Sequence, residues 1–377
     1  MENLREILNA DLSSWEIGPY HGALPAPFKI RMQLDGEIIV RAELESGFLH
    51  RGVESAMKKS TWESIIVYAD HIDPEAAVFA EMAICLAAEK LGGIEVPERA
   101  RSIRLILSEL SRIASHLRAT VGVARKVGGD TLVHYVMRDR ERVLDLFELL
   151  AGARFSLNFL RIGGVRLDMT EGFIERVFEL CELIRVRLKE YNDLFTFNST
   201  FVQRSTGVAA LSPQLIDRLG VSGPNARASG KTADLRKDSP YSGYEKVDFH
   251  DMTTPTDEAQ SGDCHERFVL RLREISQSVD ILKQLCEKVP SGKFLELKTD
   301  REFKLKKGES HGSVESSRGL LRCDLQSSGG SQPEKVTFTT PTAAIFSAIP
   351  ELLRGEQIED LGLILASLDL SVSEMDR

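Results

Sequence analysis

Residues Glu98–Val127 read ERARSIRLILSELSRIASHLRATVGVARKV. Ile103, Ile106, Leu107, Leu110, Ile113, Ala114 and Leu117 recur at steps of three and four, which puts them on one face of a long helix. Pro97 stands just before the run, where a missing backbone N–H does no harm. The same helix carries Arg104, Glu109, Arg112 and His116 at spacings of three to five. Two readings of this set stay open. Solvated pairs at i,i+4 are one; ion pairs buried in a bundle, fixing it and docking partner subunits, are the other.

Helical spacing continues on both sides. Glu75–Leu91 is rich in Ala, Met and Leu, and further helices are expected over Leu132–Ala151 and Gly172–Phe195, the last entered through Gly163-Gly164. Arg138, Arg140, Glu141 and Arg142 cluster early in the first of these two. A short helix is expected over Val208–Leu219, with Ser212-Pro213 as its start signal, then a polar, glycine-rich loop over Ser222–Gly262 containing Asp234 and Arg236. Asp263–Val289 reads as the last long helix. Before the bundle, a short helix is expected over Met1–Leu12, an irregular stretch at Gly18–Pro27, and a hairpin over Phe28–Glu45 turning at Asp35-Gly36. After it, Lys298–Ser331 is polar and the least core-like segment; Lys335–Pro341 alternates like a strand, and two short helical stretches close the chain. The expected fold is α+β, mainly α: a long-helix bundle core with a small N-terminal β-hairpin layer and a small C-terminal α/β segment. The expected boundaries are 1–45, 46–293 and 294–377.

With 377 residues the chain has ample length for a large core. Its net charge of −9 argues against nucleic acid as a partner, because phosphate binding needs concentrated basic surface. No run approaches the ~18 apolar residues of a membrane span, and the first residues lack the pattern of a secretory signal. Cys85, Cys181, Cys264, Cys286 and Cys323 form no CxxC, which fits a reduced, cytoplasmic compartment and leaves no thiolate set for a metal or cluster. HxH, HExxH, GxSxG, Walker A and GxGxxG patterns are missing, so zinc hydrolysis and nucleotide binding by this chain have no support. No metal-ligating residues are assigned.

A series of motifs runs in fixed order: GPYH (Gly18–His21), LDGE (Leu34–Glu37), GFLHRGVE (Gly47–Glu54), EKLGGIEVPERA (Glu89–Ala100), ELSRIASH (Glu109–His116) and GARF (Gly152–Phe155). RIGGVRLD (Arg161–Asp168), ARASG (Ala226–Gly230), DLRKDSPYSGY (Asp234–Tyr244), GDCHERF (Gly262–Phe268) and SLDLSVSEMDR (Ser367–Arg377) follow. This series closely resembles the D subunit of NADH:quinone oxidoreductase, respiratory complex I, in the superfamily shared with the large subunits of nickel–iron hydrogenases. The resemblance covers nearly the whole chain and weakens across about Phe294–Gly312. It implies a peripheral-arm subunit on the cytoplasmic side of the inner (plasma) membrane. It also implies partners: an iron–sulfur subunit, a protein like the C subunit of that complex, and the membrane arm. NAD and iron–sulfur clusters would belong to partner subunits, with quinone as the substrate and electron transfer coupled to ion translocation.

Counted along the motifs, the four hydrogenase cysteines fall at Pro74, Ala77, Ser371 and Glu374. Nickel and low-spin iron need soft thiolates, so no nickel–iron centre and no hydrogenase activity are expected. The histidine, tyrosine and aspartate associated with the quinone headgroup fall at Pro25, Pro74 and Lys126. Proline has no donor, and lysine reverses the aspartate's charge. His21, Asp73, Glu54, Glu109, Arg112 and Asp376 keep the shared framework. Three readings remain: quinone held by other residues, with His21, His71 and Tyr68 nearest; a nickel-free, hydrogenase-derived complex with another acceptor; or a silent scaffold. On the first reading His21 and His71 supply protons and Asp73 orients them, while Gly18, Pro19, Tyr68, Pro74, Lys126, Ser371 and Glu374 line the site. His21 can equally serve its own proline-bracketed loop, and Glu374 can equally be an ion-pair partner of the terminal segment.

Overall fold

The computed structural model describes residues 12–253, 262–297 and 303–377. The helix expected over Met1–Leu12 falls outside them except for its last residue.

The bundle consists of α1 (Ala77–Gly92), α2 (Glu98–Lys126), α3 (Asp130–Ala151), α4 (Phe173–Tyr191) and α5 (Cys264–Glu287). The central rod is α2, which packs against α3 and α5, while α5 also packs against α4. Every residue from Ile103 to Leu117 is buried, not one stripe alone. A helix covered on all sides leaves its charged residues no route to water, so each must find a partner inside. This decides the open reading for Arg104, Glu109 and Arg112, which form buried ion pairs; His116 instead hydrogen-bonds Glu274 at 2.9 Å, with burial holding its imidazole below its ordinary value. Arg104 makes a two-pronged pair with Glu89 at 3.1 and 2.5 Å. Glu109 accepts from Ser278 at 2.6 Å and lies 3.3 Å from Arg236. Arg112 donates to the carbonyls of Glu315 and Ser316 at 2.6 and 2.9 Å. Burial pushes the Glu109 carboxyl up, but Arg112 and Arg236 more than offset this and hold it below its ordinary value. By contrast, Arg138 and Arg142 face solvent.

Two three-stranded antiparallel sheets flank the bundle. The first, β1 (Ser13–Ile17), β2 (Lys29–Asp35) and β3 (Ile38–Glu45), contains the expected hairpin and a first strand that the sequence pattern does not announce. Ile30, Met32 and Leu34 alternate inward. The second sheet overturns the reading of Lys298–Ser331 as the least core-like segment. It is built from β4 (Gly308–Ser316), β5 (Gly319–Ser327) and β6 (Lys335–Thr339), and Val314, Leu321, Cys323 and Leu325 are buried. It lies on α1. Gly312 permits this approach, since a Cβ there would overlap the Ala83 carbonyl oxygen.

The Ser222–Gly262 stretch needs a similar correction. It includes the short helices Gly223–Arg227 and Leu235–Asp238, and Arg227, Asp234 and Arg236 are buried. Arg227 bonds Glu274 at 2.9 Å and Glu315 at 2.7 Å, tying the stretch to α5 and β4. Elsewhere the start signals hold: Ser212 caps Pro213–Leu219 through Leu215 N, so that helix begins five residues later than expected. Asp263 caps α5 through Glu266 N at 2.8 Å. After β6 come α6 (Pro341–Leu352) and α7 (Leu361–Leu368). One hydrophobic core runs continuously through sheet, bundle and C-terminal segment. Among the described residues no helix is long and apolar enough to cross a membrane.

Candidate active-site cavity

Five pieces of chain far apart in sequence meet at one end of α2. They are the Gly18–Pro27 loop, the turn before α1, the last turns of α2, the β4–β5 turn and the tail after α7. They line an open cavity of about 480 Å³ whose walls include Pro25, Pro74, Arg118, Lys126, Arg318 and Ser371. Each wall is held by its own polar contacts. In the first loop Gly18 has φ 102° and a cis bond to Pro19; a Cβ on Gly18 would overlap the Phe28 carbonyl oxygen, so only glycine fits. Lys126 Nζ ties this loop to α2 through the carbonyls of Ala23 (3.2 Å) and Gly22 (3.4 Å). Lys126 therefore meets backbone oxygens where the resemblance places an aspartate paired with a histidine.

Behind the wall is a compact set of charges. The β4–β5 turn carries Arg318 inward, where Nη1 donates to Asp73 Oδ2 at 2.5 Å and Nε to the Asp369 carbonyl at 2.8 Å. Ser371 Oγ donates to Asp73 Oδ1 at 3.3 Å. Glu374 is fully buried; its Oε2 accepts from Thr342 N at 3.2 Å, and its Oε1 has no partner among the described residues. Burial pushes the Asp73 carboxyl up, against the pull of Arg318 and with the help of Asp369 and Glu75. Burial and then the Asp73 charge push Glu374 up to about 7, against Arg318. The tail is pinned from the other side. Asp376 accepts from Gly47 N and Leu49 N at 2.8 and 2.9 Å, and Arg377 donates to Glu54 at 3.0 Å.

The expected site residues divide into three groups. Pro25, Pro74, Lys126 and Ser371 line the cavity, and Asp73 and Glu374 lie buried behind it. Gly18 and Pro19 shape the first loop without lining the cavity. His21 is exposed, and its Nδ1 accepts from Ala23 N at 3.2 Å. His71 is also exposed; Arg51 Nη2 donates to its carbonyl at 3.1 Å. Tyr68 is half-buried, its hydroxyl accepting from Ser60 at 3.4 Å, with its ring 6.3 Å from that of His71. None of His21, Tyr68 and His71 lines the cavity.

Sequence reading missed Arg318, Asp369, Glu75 and Arg118. Arg118 had a signal, since it lies eight residues before Lys126 on the same helix face. Arg318 had none, as one arginine in a Ser-Ser-Arg-Gly turn reads as solvated. A second cavity, about 590 Å³, lies between α1, β4 and residues 239–245 and contains none of the expected site residues.

The donor set does not fit a nickel–iron centre. Pro74, Ala77, Ser371 and Glu374, where the resemblance counts the four cysteines, offer no thiolate; the Ser371 hydroxyl is engaged by Asp73 and the Glu374 carboxyl by Thr342. All five cysteines are buried and unpaired.

Comparisons with known proteins agree on one family. The profile described as "Respiratory-chain NADH dehydrogenase, 49 Kd subunit" matches residues 126–302 and 295–377. The D subunit of the NADH-quinone oxidoreductase of Desulforamulus reducens is 39% identical over 96% of this chain and 97% of its own length. Its namesake from Clostridium beijerinckii is 37% identical over the full length of both. A solved chain from the membrane-bound sulfane sulfur reductase, an archaeal respiratory membrane complex, superposes with a TM-score of 0.92 at 31% identity. It covers 98% of this chain and 100% of its own. The chain therefore belongs to the family of the 49 kDa subunit of respiratory-chain NADH dehydrogenase, known in the NADH-quinone oxidoreductases as the D subunit.

Proposed function

We propose that this chain supplies one wall of the cavity in which a complex I-like NADH:quinone oxidoreductase reduces quinone. Family membership makes it a subunit of a complex I-like oxidoreductase, a membrane-bound respiratory assembly. The observation that carries the finer reading is the cavity of about 480 Å³ bounded by Pro25, Pro74, Lys126, Arg318 and Ser371, with Asp73 and Glu374 behind it. An iron–sulfur partner delivers the electrons, and NADH is their source. The chain sits on the cytoplasmic side of the membrane, beside a protein like the C subunit of complex I and against the membrane arm. Reduction of a quinone takes up two protons, so the site needs groups that exchange protons near neutral pH. His21 lies in the first loop and His71 shortly before Pro74, both exposed and outside the cavity lining, and are proposed as donors at its approach; Asp73 is bonded to Arg318 and Ser371 and orients neither. His21→Ala and His71→Ala each lower quinone-dependent turnover with assembly intact; normal turnover in both removes them from the mechanism.

A second reading has its own support. Pro25 and Pro74 give no donor to a quinone headgroup, and the superposed archaeal chain comes from a sulfane sulfur reductase. On that reading the cavity takes a different acceptor and no nickel. Purification of the native complex with iron, nickel and quinone analysis tests both. Iron–sulfur subunits with quinone and without nickel support quinone reduction. Iron–sulfur subunits with antiporter-like partners and no quinone support the second reading.

A further inference from the structure

We propose that the free edge of β4 is the docking site for an extended, acidic segment of another subunit of the assembly, which adds a fourth strand to the C-terminal sheet at the second cavity. That cavity is at the start of α2, beside Arg101 and Arg104, whereas the acceptor cavity is at its far end. The inference therefore holds whichever acceptor is reduced there.

In the C-terminal sheet β4 is an outer strand, paired on one side only, with β5. The register runs without a break from Gly308↔Ser327 to Ser316↔Gly319. Ser316 and Gly319 flank a two-residue turn, so they form a hydrogen-bonded pair, and such pairs alternate along an antiparallel ladder. Gly308, Ser310, Gly312, Val314 and Ser316 therefore direct their N–H and C=O groups to β5, while those of Glu309, His311, Ser313 and Glu315 point outward. The contacts of Glu315 agree with this phase: its N–H donates to the Tyr241 hydroxyl at 3.1 Å, and its carbonyl accepts from Arg112 at 2.6 Å. His311 and Ser313 lack such cover. Among the described residues nothing bonds their outward N–H and C=O groups, and both residues line the cavity of about 590 Å³.

Free edges are normally blunted by lysine, proline or a bulge. The strand reads GESHGSVES and has none of these; Glu315 is turned inward to Arg227, and Glu309 lies outside the cavity lining. The edge is also held in place beforehand. Gly312 lies against the Ala83 carbonyl, and Ser310 Oγ donates to the Ala87 carbonyl at 2.7 Å, so a strand that adds here finds its template already ordered. Charge selects the occupant. Lys90 from α1 and Arg101 from α2 line the cavity without an ion pair among the described residues, while Arg104 and Glu89 neutralise each other and Glu245 is the remaining carboxylate. The surplus is positive, which suits an acidic segment. The free section is recessed between α1 and residues 239–245, so it admits a single extended strand rather than the sheet of a second copy.

The test compares the purified native complex with the isolated full-length chain. Amide exchange at His311 and Ser313 is expected to be about tenfold slower in the complex, close to that of the ladder-bonded Gly312 and Val314. Carbodiimide coupling of the complex is expected to join the Lys90 amine to an Asp or Glu of another subunit, located by mass spectrometry in a segment that is itself protected from exchange. Ser313→Pro removes the outward N–H without touching the β4–β5 bonds. In that variant His311 is expected to lose its protection in the complex, while the isolated chain keeps its denaturation midpoint. If Ser313→Pro fails to fold, Lys90→Glu replaces it, and the protection of His311 is expected to fall about tenfold. Equal exchange in complex and isolated chain overturns the proposal, as does unchanged protection in the variants. Coupling of Lys90 only within its own chain, or to a second copy of it, overturns it as well.

Discussion

Arg318 and Asp73 are 245 residues apart in the chain, yet their side chains meet at 2.5 Å. This contact joins the tip of the C-terminal sheet to the turn before α1. Among the described residues it brings the only cation bonded to Asp73 into the wall of the cavity. Removing the guanidinium leaves Asp73 buried and unpaired. Arg318→Ala is expected to destabilise the chain by about 3–5 kcal/mol, read as a lower denaturant midpoint of the isolated protein. Arg318→Ala combined with Asp73→Asn should recover part of that loss, because the stranded charge is gone.

The charge cluster around α2 and α5 makes a parallel case without any cavity. Glu274 accepts from Arg227 at 2.9 Å and lies 2.9 Å from His116 Nε2, all three fully buried. Glu274→Gln keeps the shape and removes the charge. The expected cost is about 3 kcal/mol, measured by chemical denaturation, with secondary structure unchanged by circular dichroism.

These two clusters mark where sequence reading stops. The long helices were legible because apolar spacing is local, as were the Asp35-Gly36 turn and the caps at Ser212 and Asp263. Whether Arg104 or Arg112 is solvated depends on partners from other elements: Glu89 on α1, Glu315 and Ser316 on β4. The strands β4 and β5 were hidden by their serines and glycines. Their identity as core follows from lying on α1, a contact between segments more than two hundred residues apart. For the cavity, counting along the motifs reached Pro25, Pro74, Lys126 and Ser371, of which only Ser371 stands inside a quoted motif. It missed Arg318, which lies outside the quoted motifs.

Stability should also fall with rising pH. Glu81, fully buried on α1, accepts from Phe159 N and Leu160 N at 2.9 and 2.8 Å, and its other oxygen has no partner among the described residues. Burial raises its carboxyl from 4.5 to about 7. The folded state thus holds a proton that the unfolded chain has already lost, so this stability is full below pH 4.5 and is lost by pH 7. The expected loss is ~3 kcal/mol across that window. Glu81→Gln should flatten the dependence in a pH series of denaturation curves.

Lys126 is expected to act on one loop alone. Its Nζ bonds the Gly22 and Ala23 carbonyls from an exposed position, so Lys126→Ala should cost less than about 1 kcal/mol of global stability. Amide exchange over Gly18–Phe28 should quicken, while exchange in α2 stays slow.

The central claim is that the acceptor is reduced in the cavity at the end of α2, and the Gly122→Phe variant tests it most directly. Gly122 lines this cavity, and a Cβ there would come no nearer than 3.9 Å to the Ala366 methyl, so the larger side chain has room to enter the cavity without breaking the helix. The measurement is donor-driven acceptor turnover of the purified variant complex, normalised to its iron–sulfur content. Turnover is expected to fall at least about tenfold while the purified complex keeps all its subunits. Undiminished turnover in a fully assembled complex would contradict the claim.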